Sequence, residues 1–218
     1  LRTGEVDIID YVPSKEVIAF EGAGDANVDV SVAPFMCLQI NCTEGSPLAD
    51  PKVRQAISYA IKRDDVINAA FMGRGEPIFG FPTIVGQNGY DGKYDNYFSY
   101  DPEKAKELLT EAGYPDGIEL ELWTPVGRYL MDTQVCENLQ AQWEKAGIHV
   151  NIRQWEFQAL MSEVKNGGFD MVLLGWSPST GDADQGLYPV FHSSQFPPNS
   201  NRAFYNNPDV DALLDQAK

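Results

Sequence analysis

Apolar positions along the chain recur with two different periods. Val53, Ala56, Ile57, Ala60 and Ile61 return at helical spacing, and so do three later sets: Ala105, Leu108, Leu109 and Ala112; Val135, Leu139, Trp143 and Ala146; Phe157, Leu160, Met161 and Val164. Each set draws one buried stripe on a helix. Ile118, Leu120 and Leu122 instead alternate with Glu119 and Glu121, and Ile148, Val150 and Ile152 alternate in the same way, as strands with one wet face do. Met171 to Leu174 has no polar position, which predicts a strand covered on both faces.

Helix boundaries support these assignments. Asp50-Pro51 and Asp101-Pro102 each place a capping carboxylate before a proline at the first helical position. Asp64 or Asp65 is expected to cap a short helix through Phe71, and Gly113, Gly147 and Gly167 follow helical stripes as stops. From Ile118 onward the order is strand, helix, strand, helix, strand, the pattern of parallel βαβ units with right-handed crossovers. The expected class is α/β, a mostly parallel sheet flanked by helices. Met171–Leu174 is expected at its centre, flanked in parallel by Ile148–Ile152 and Ile118–Leu122, the latter near a sheet edge. Two loops, Thr124 to Leu130 and Trp176 to Gly186, then share the carboxyl edge, where open α/β sheets bind ligands.

The first residues read differently. Val6, Ile8 and Ile9 suggest a strand, Val28 to Val32 a second and Phe35 to Asn41 a third, with a boundary between Pro34 and Pro47. They carry no core of their own. Gly73 to Gly92 forms a long loop with Phe79, Phe81 and Tyr90, a length expected to be pinned by its own side chains or used in function. The chain opens on what reads as a last helical turn and closes in a helical stripe, Val210, Leu213, Leu214 and Ala217, without a terminator. The expectation is a piece of a longer protein.

Composition narrows the classes. The 218 residues are 43% hydrophobic, enough for a core, and carry a net charge of −16. That charge excludes a basic footprint for nucleic acid or anionic membrane. Cys37, Cys42 and Cys136 have no metal spacing, and an odd count leaves at least one thiol; all three read as free. No apolar run reaches membrane-span length. No metal, cofactor or catalytic motif is recognised, neither G-x-S-x-G nor a phosphate-binding glycine loop.

The candidate chemistry lies in the two loops. Arg128 suits a carboxylate or phosphate held in two-pronged fashion, or else is a solvated loop arginine or the salt-bridge partner of a nearby acid. Trp176 is either a stacking platform or core. Ser177, Ser179 and Thr180 offer hydroxyls to anionic oxygens. Asp182 and Asp184 offer carboxylates to an ammonium, or cap a helix near Leu187. As a catalytic pair, Asp182 and Asp184 stand too close in one loop to flank a scissile bond in an obvious way.

The segments LADPKVRQAISYAIKRDDVI, SYDPEKAKELLTEAGYPDG, LWTPVGRYLMDTQ and FDMVLLGWSPSTGDADQGLYPVFHSS, in this order, resemble the solute-binding proteins of peptide ABC importers, the dipeptide, oligopeptide and nickel-type family. The run from Gly175 to Phe191, with Phe196-Pro197-Pro198 and Ala203-Phe204-Tyr205, looks most like the glutathione-binding members. The resemblance implies a non-enzymatic, monomeric receptor outside the cytoplasm, in the periplasm or at the outer face of the membrane with or without a lipid anchor. It would pass a small peptide such as glutathione, or else a dipeptide, an oligopeptide, a nickel chelate or another small solute, to the permease subunits, without a cofactor. It implies that residues 1–35 end a first lobe and 36–218 form most of the second. Arg128 matches the family's carboxylate-binding arginine, with Tyr129 beside it. Ser179 stands where many dipeptide binders carry an ammonium-binding aspartate, a role left to Asp182.

Overall fold

The computed structural model describes residues 1–24, 26–29, 35–79, 83, 85–177 and 181–217. Their order is α1 (Ser14–Ala23), β1 (Phe35–Ile40), α2 (Pro51–Tyr59), α3 (Arg63–Phe71), α4 (Pro102–Glu111), β2 (Ile118–Pro125), α5 (Asp132–Trp143), β3 (Ile148–Trp155), α6 (Phe157–Glu163), β4 (Met171–Trp176), α7 (Asp184–Phe191) and α8 (Pro208–Gln216). The Asp-Pro caps form as expected: Asp50 accepts from the Lys52 N–H and Asp101 from the Lys104 N–H. Asn207-Pro208 repeats the device at α8, where Asn207 accepts from the N–H groups of Asp209 and Val210. Asp64 and Asp65 do not cap α3. Lys62 occupies the cap position, and the two acids lie in the first turn, where they face the positive end of the helix dipole.

The four strands form one sheet in the order β1-β4-β2-β3. β2 pairs in parallel with both β3 and β4, and β1 closes the other side of β4 antiparallel, with Cys37 opposite Leu174 and Met36 opposite Gly175. The three later strands are therefore parallel and their carboxyl ends share an edge. Two expectations change. β3 does not touch β4 but forms the edge beyond β2, and β2 is interior. The alternation of Ile118–Leu122 and Ile148–Ile152 is the same, so it cannot rank the two strands. What separates them is the end of β2, where Leu122 to Pro125 is buried throughout and Trp123 packs on Trp155 and Phe169. The wet face belongs to β3, whose His149, Asn151 and Arg153 are exposed.

β4 joins two cores. Met171 and Leu173 face Val135, Cys136, Leu139 and Trp143 of α5, backed by α2, α3 and α4. Val172 and Leu174 face Trp123, Leu160, Val164 and Phe169 on the opposite side, beneath α6. Because α5 and α6 cover opposite faces, β4 is enclosed as its apolar run requires. Asn41 fastens β1 to this arrangement: its amide donates to Gly167 O (2.9 Å) and Phe169 O (2.8 Å). At the amino end, Gly117 and Gly147 start β2 and β3 in positive φ, and a Cβ on Gly117 would sit 2.5 Å from Gly147 O.

Residues 6–9 do not form a strand. Val6 and Ile8 are 47% and 86% exposed, and among the described residues neither core contains one before Met36. Without neighbours to pair with or an apolar surface to cover, alternation alone does not make a strand. Of the expected strand 28–32, residues 30–32 lie outside the described residues, and Val28 and Asp29 are not in a strand. All three cysteines are free, and burial pushes the Cys37 thiol up to about 12 and Cys136 to about 11.

The long loop after α3 is pinned by Arg63. Its guanidinium donates to Ile78 O (2.8 Å) and Phe98 O (3.1 Å) and lies 4.9 Å from the Phe79 ring centre. Burial lowers its pKa to about 10, which still leaves it charged at neutral pH. Hydrogen bonds from a charged donor are worth about 1.5–3 kcal/mol each. Arg63→Ala should therefore release residues 76–79 and 98, read as faster amide exchange there, while amides of β2 and β4 keep their protection. Unchanged exchange in the loop would show that the aromatic contacts alone hold it.

Candidate functional site

The crossing from β2 to α5 is built on one buried carboxylate. Asp132 Oδ2 accepts from the Arg128 N–H (3.0 Å) and the Tyr129 N–H (3.2 Å), and its Oδ1 accepts from the Thr133 N–H (2.9 Å). At the other end of the loop, the Val126 N–H donates to Trp155 O (3.1 Å). The backbone is thus fixed at both ends. The Arg128 side chain is exposed, with its guanidinium carbon 4.8 Å from the Phe157 ring centre and 5.6 Å from that of Tyr129. Among the described residues it makes neither a hydrogen bond nor an ion pair, so the salt-bridge reading of Arg128 does not hold there.

Tyr129 lies against β4. Its ring occupies the space over Gly175, where an added Cβ would come within 2.6 Å of Tyr129 Cε1. Glycine is therefore needed at the end of β4 to let the β2 loop close over it. Trp176 is half-buried, and its indole N–H donates to Gln185 O (2.8 Å), which ties it to α7. Ser177 is exposed. Ser179 and Thr180 lie outside the described residues.

Asp182 acts as a clasp. Its Oδ1 accepts from the Asp184 N–H (2.9 Å) and its Oδ2 from Asn88 Nδ2 (2.9 Å). The backbones join there too, through Asn88 N–H to Gly181 O (2.7 Å) and Ala183 N–H to Asn88 O (2.9 Å). The Asp184 N–H and then the Asn88 amide hold the Asp182 carboxyl below its ordinary value. Asp182, not Asp184, thus serves the start of α7. Both of its oxygens take part in holding the loop, an arrangement that suits a cap better than a general base.

Arg128, Tyr129, Gly175 and Trp176 therefore meet at the carboxyl edge of two neighbouring strands, and Asp182 anchors the far end of the same loop. Sequence reading missed Asp132, Gly175 and Asn88. Asp132 was legible only as the first residue of a helix, while Gly175 and Asn88 act through contacts distant in sequence. Among the described residues, a hollow of about 240 Å³ lies at the amino edge, lined by Tyr114, Gly117 and Gly147, and another of about 220 Å³ lies beside the Asp182 clasp, lined by Asn88, Asp182, Leu187 and Leu214. The first has the geometry of a strand-start groove and no arginine. Among the described residues, no group of three or more His, Cys, Asp or Glu could hold a metal ion, and no helix is long and apolar enough to cross a membrane.

Two outcomes follow from this geometry. Gly175→Ala should displace the Tyr129 ring at a cost of about 1 kcal/mol, visible as shifted Tyr129 ring resonances with the fold retained; unmoved resonances would show that the contact is slack. The Asp182 clasp favours the ionised carboxyl. It should be complete above the ordinary aspartate range, near pH 4, and be lost as pH falls through the lowered value. The Asn88 side-chain amide resonances should shift at that lower pH in the parent and lose that step in Asp182→Ala; a flat parent profile would contradict the clasp.

Comparison with known proteins agrees with this architecture. Residues 1–198 match the family model described as bacterial extracellular solute-binding proteins, family 5, middle. The glutathione-binding protein GsiB of Escherichia coli (strain K12) is 34% identical over 228 residues, covering 100% of this chain and 43% of the relative. Among solved structures, the PBP AgaA from A. tumefaciens R10 in complex with agropinic acid superposes with a TM-score of 0.87 at 35% identity, over 99% of this chain and 44% of that one. The periplasmic binding protein DppA from Helicobacter pylori in complex with the peptide STSA gives 0.87 at 31% identity, over 100% and 42%. This chain spans less than half the length of these relatives. With the family match running through most of its length, the chain belongs to the bacterial extracellular solute-binding proteins of family 5.

Proposed function

We propose that the chain supplies most of the second lobe of an extracytoplasmic receptor that binds a small peptide and delivers it to the permease of an ABC importer. Residues 1–35 would come from the first lobe and 36–218 from the second. The observation that carries this reading is Arg128, an exposed guanidinium without a hydrogen bond or ion pair among the described residues, in a chain with 32 acids and 16 bases. Its backbone is fixed by Asp132 and its plane is supported by Phe157 and Tyr129. An arginine held in this way suits a carboxylate that arrives from outside. Tyr129, Trp176, Ser177, Ser179, Thr180 and Asp182 complete the proposed ligand edge.

Glutathione is the ligand we favour. The likeness to GsiB supports it, and so does Ser179, which puts no carboxylate three places after Trp176 to hold an α-ammonium. The second reading is an α-peptide ligand, which the likeness to peptide-bound DppA supports. The lobe division is supported by the exposed Val6, Ile8 and Tyr11, which add nothing to either core.

Calorimetry on the full-length receptor with glutathione and di- and tripeptides tests the proposal. Arg128→Ala should cost about 2–5 kcal/mol of binding; unchanged affinity for every ligand of the parent would remove Arg128 from the site. The isolated 218-residue chain leaves its edge in water, where the attraction of one charge pair falls towards ~1 kcal/mol. It should bind the same ligands no better than about millimolar, and micromolar binding would contradict a site shared between lobes.

A further inference from the structure

The apolar stripe of α6 contains one misfit. Phe157, Leu160, Met161 and Val164 recur at helical spacing. Leu160 and Val164 are fully buried, and Met161 packs against the core that they form with Trp123 and Phe169. Phe157 is half-buried and, among the described residues, belongs to neither core. Its ring instead faces the Arg128 guanidinium, whose central carbon lies 4.8 Å from the ring centre. Positions where pattern and packing disagree are expected at functional sites.

The acids nearest to this pair in sequence are committed elsewhere. Asp132, four residues after Arg128, accepts from the N–H groups of Arg128, Tyr129 and Thr133. Glu156, immediately before Phe157, caps α6 by accepting from the Ala159 N–H (3.0 Å). The N–H groups of Gln158 and Ala159 hold its carboxyl below the ordinary value. With neither acid to hold it, an exposed arginine samples many rotamers, and a ligand has to order it on binding. An aromatic face suits the flat guanidinium and leaves its in-plane N–H groups able to donate. The bond from the Val126 N–H to Trp155 O ties the loop that carries Arg128 to the strand end that leads into Phe157.

We infer that Phe157 is a positioning residue of the ligand edge: its ring orders the Arg128 guanidinium for a ligand carboxylate, so that it acts on affinity through Arg128. An apolar side chain of similar bulk without a flat face does not serve. The inference deepens the receptor reading and rests on it for the ligand alone. The ordering of Arg128 by the ring stands apart from what the receptor binds.

The test compares the full-length receptor with its Phe157→Leu, Phe157→Tyr and Arg128→Ala variants and the Arg128→Ala/Phe157→Leu double variant. In calorimetry with glutathione and with alanyl-alanine, Phe157→Leu should weaken binding by about 3- to 10-fold, and Phe157→Tyr should recover most of that loss. In the Arg128→Ala background, Phe157→Leu should change affinity by less than about twofold. Equal weakening with and without Arg128, or none in either, would overturn the inference. A second readout needs no ligand. The Arg128 Nε–H resonance should report an ordered side chain in the parent and in Phe157→Tyr and a mobile one in Phe157→Leu, while amides of β2 and β4 keep their exchange protection. Equal order in all three, or loss of that protection, would overturn the positioning role. If neither peptide binds the parent and Arg128 still loses its order in Phe157→Leu, the peptide reading falls and the positioning of Arg128 stands.

Discussion

The central sheet and the helices on its two faces are arranged by the need to cover β4. Met171, Val172, Leu173 and Leu174 are at most 3% exposed, and burying each apolar side chain of this size stabilises the fold by about 1.5–3 kcal/mol. A strand of this kind cannot lie at a sheet edge or on a one-layer fold. It takes β1 and β2 as neighbours, α5 with its backing helices on one face, and α6 with the Trp123, Trp155 and Phe169 group on the other. The loops leaving β2 and β4 then emerge side by side.

Rigid local devices make that shared edge usable for recognition. Asp132 collects two backbone N–H groups of the β2 loop and one from the first turn of α5, Gly175 lets Tyr129 lie on the end of β4, Trp176 is tied to α7, and Asp182 joins its loop to Asn88. Fixing the backbone before a ligand arrives lowers the ordering cost of binding. The guanidinium of Arg128 is the part left over, positioned by its neighbours yet engaged by no acid.

Local signals carried much of this into the sequence. Asp-Pro pairs marked α2 and α4, helical stripes gave α5 and α6, and the unbroken Met171–Leu174 run gave a strand enclosed on both sides. Arg128 and Trp176 were legible because they lie at or just beyond the carboxyl ends of β2 and β4. The rank of β2 and β3 was not, because Ile-Glu-Leu-Glu-Leu and Ile-His-Val-Asn-Ile show the same alternation and only the packing of Trp123 on Trp155 separates them. Nor was the pairing of β1 with β4, since it depends on contacts between residues more than a hundred positions apart. The strand expected at residues 6–9 failed because alternation needs a surface to pack on, and Ile8 has none.

The central claim is that ligand is met at the carboxyl edge of β2 and β4. Hydrogen–deuterium exchange of the full-length receptor, with and without glutathione or an α-dipeptide at saturation, tests it most directly. The account predicts slower exchange at residues 126–132 and 181–187 on binding, with no change at 114–117 and 146–147, which line the hollow at the opposite edge. Slower exchange at that amino edge, with 126–132 unaffected, would contradict it.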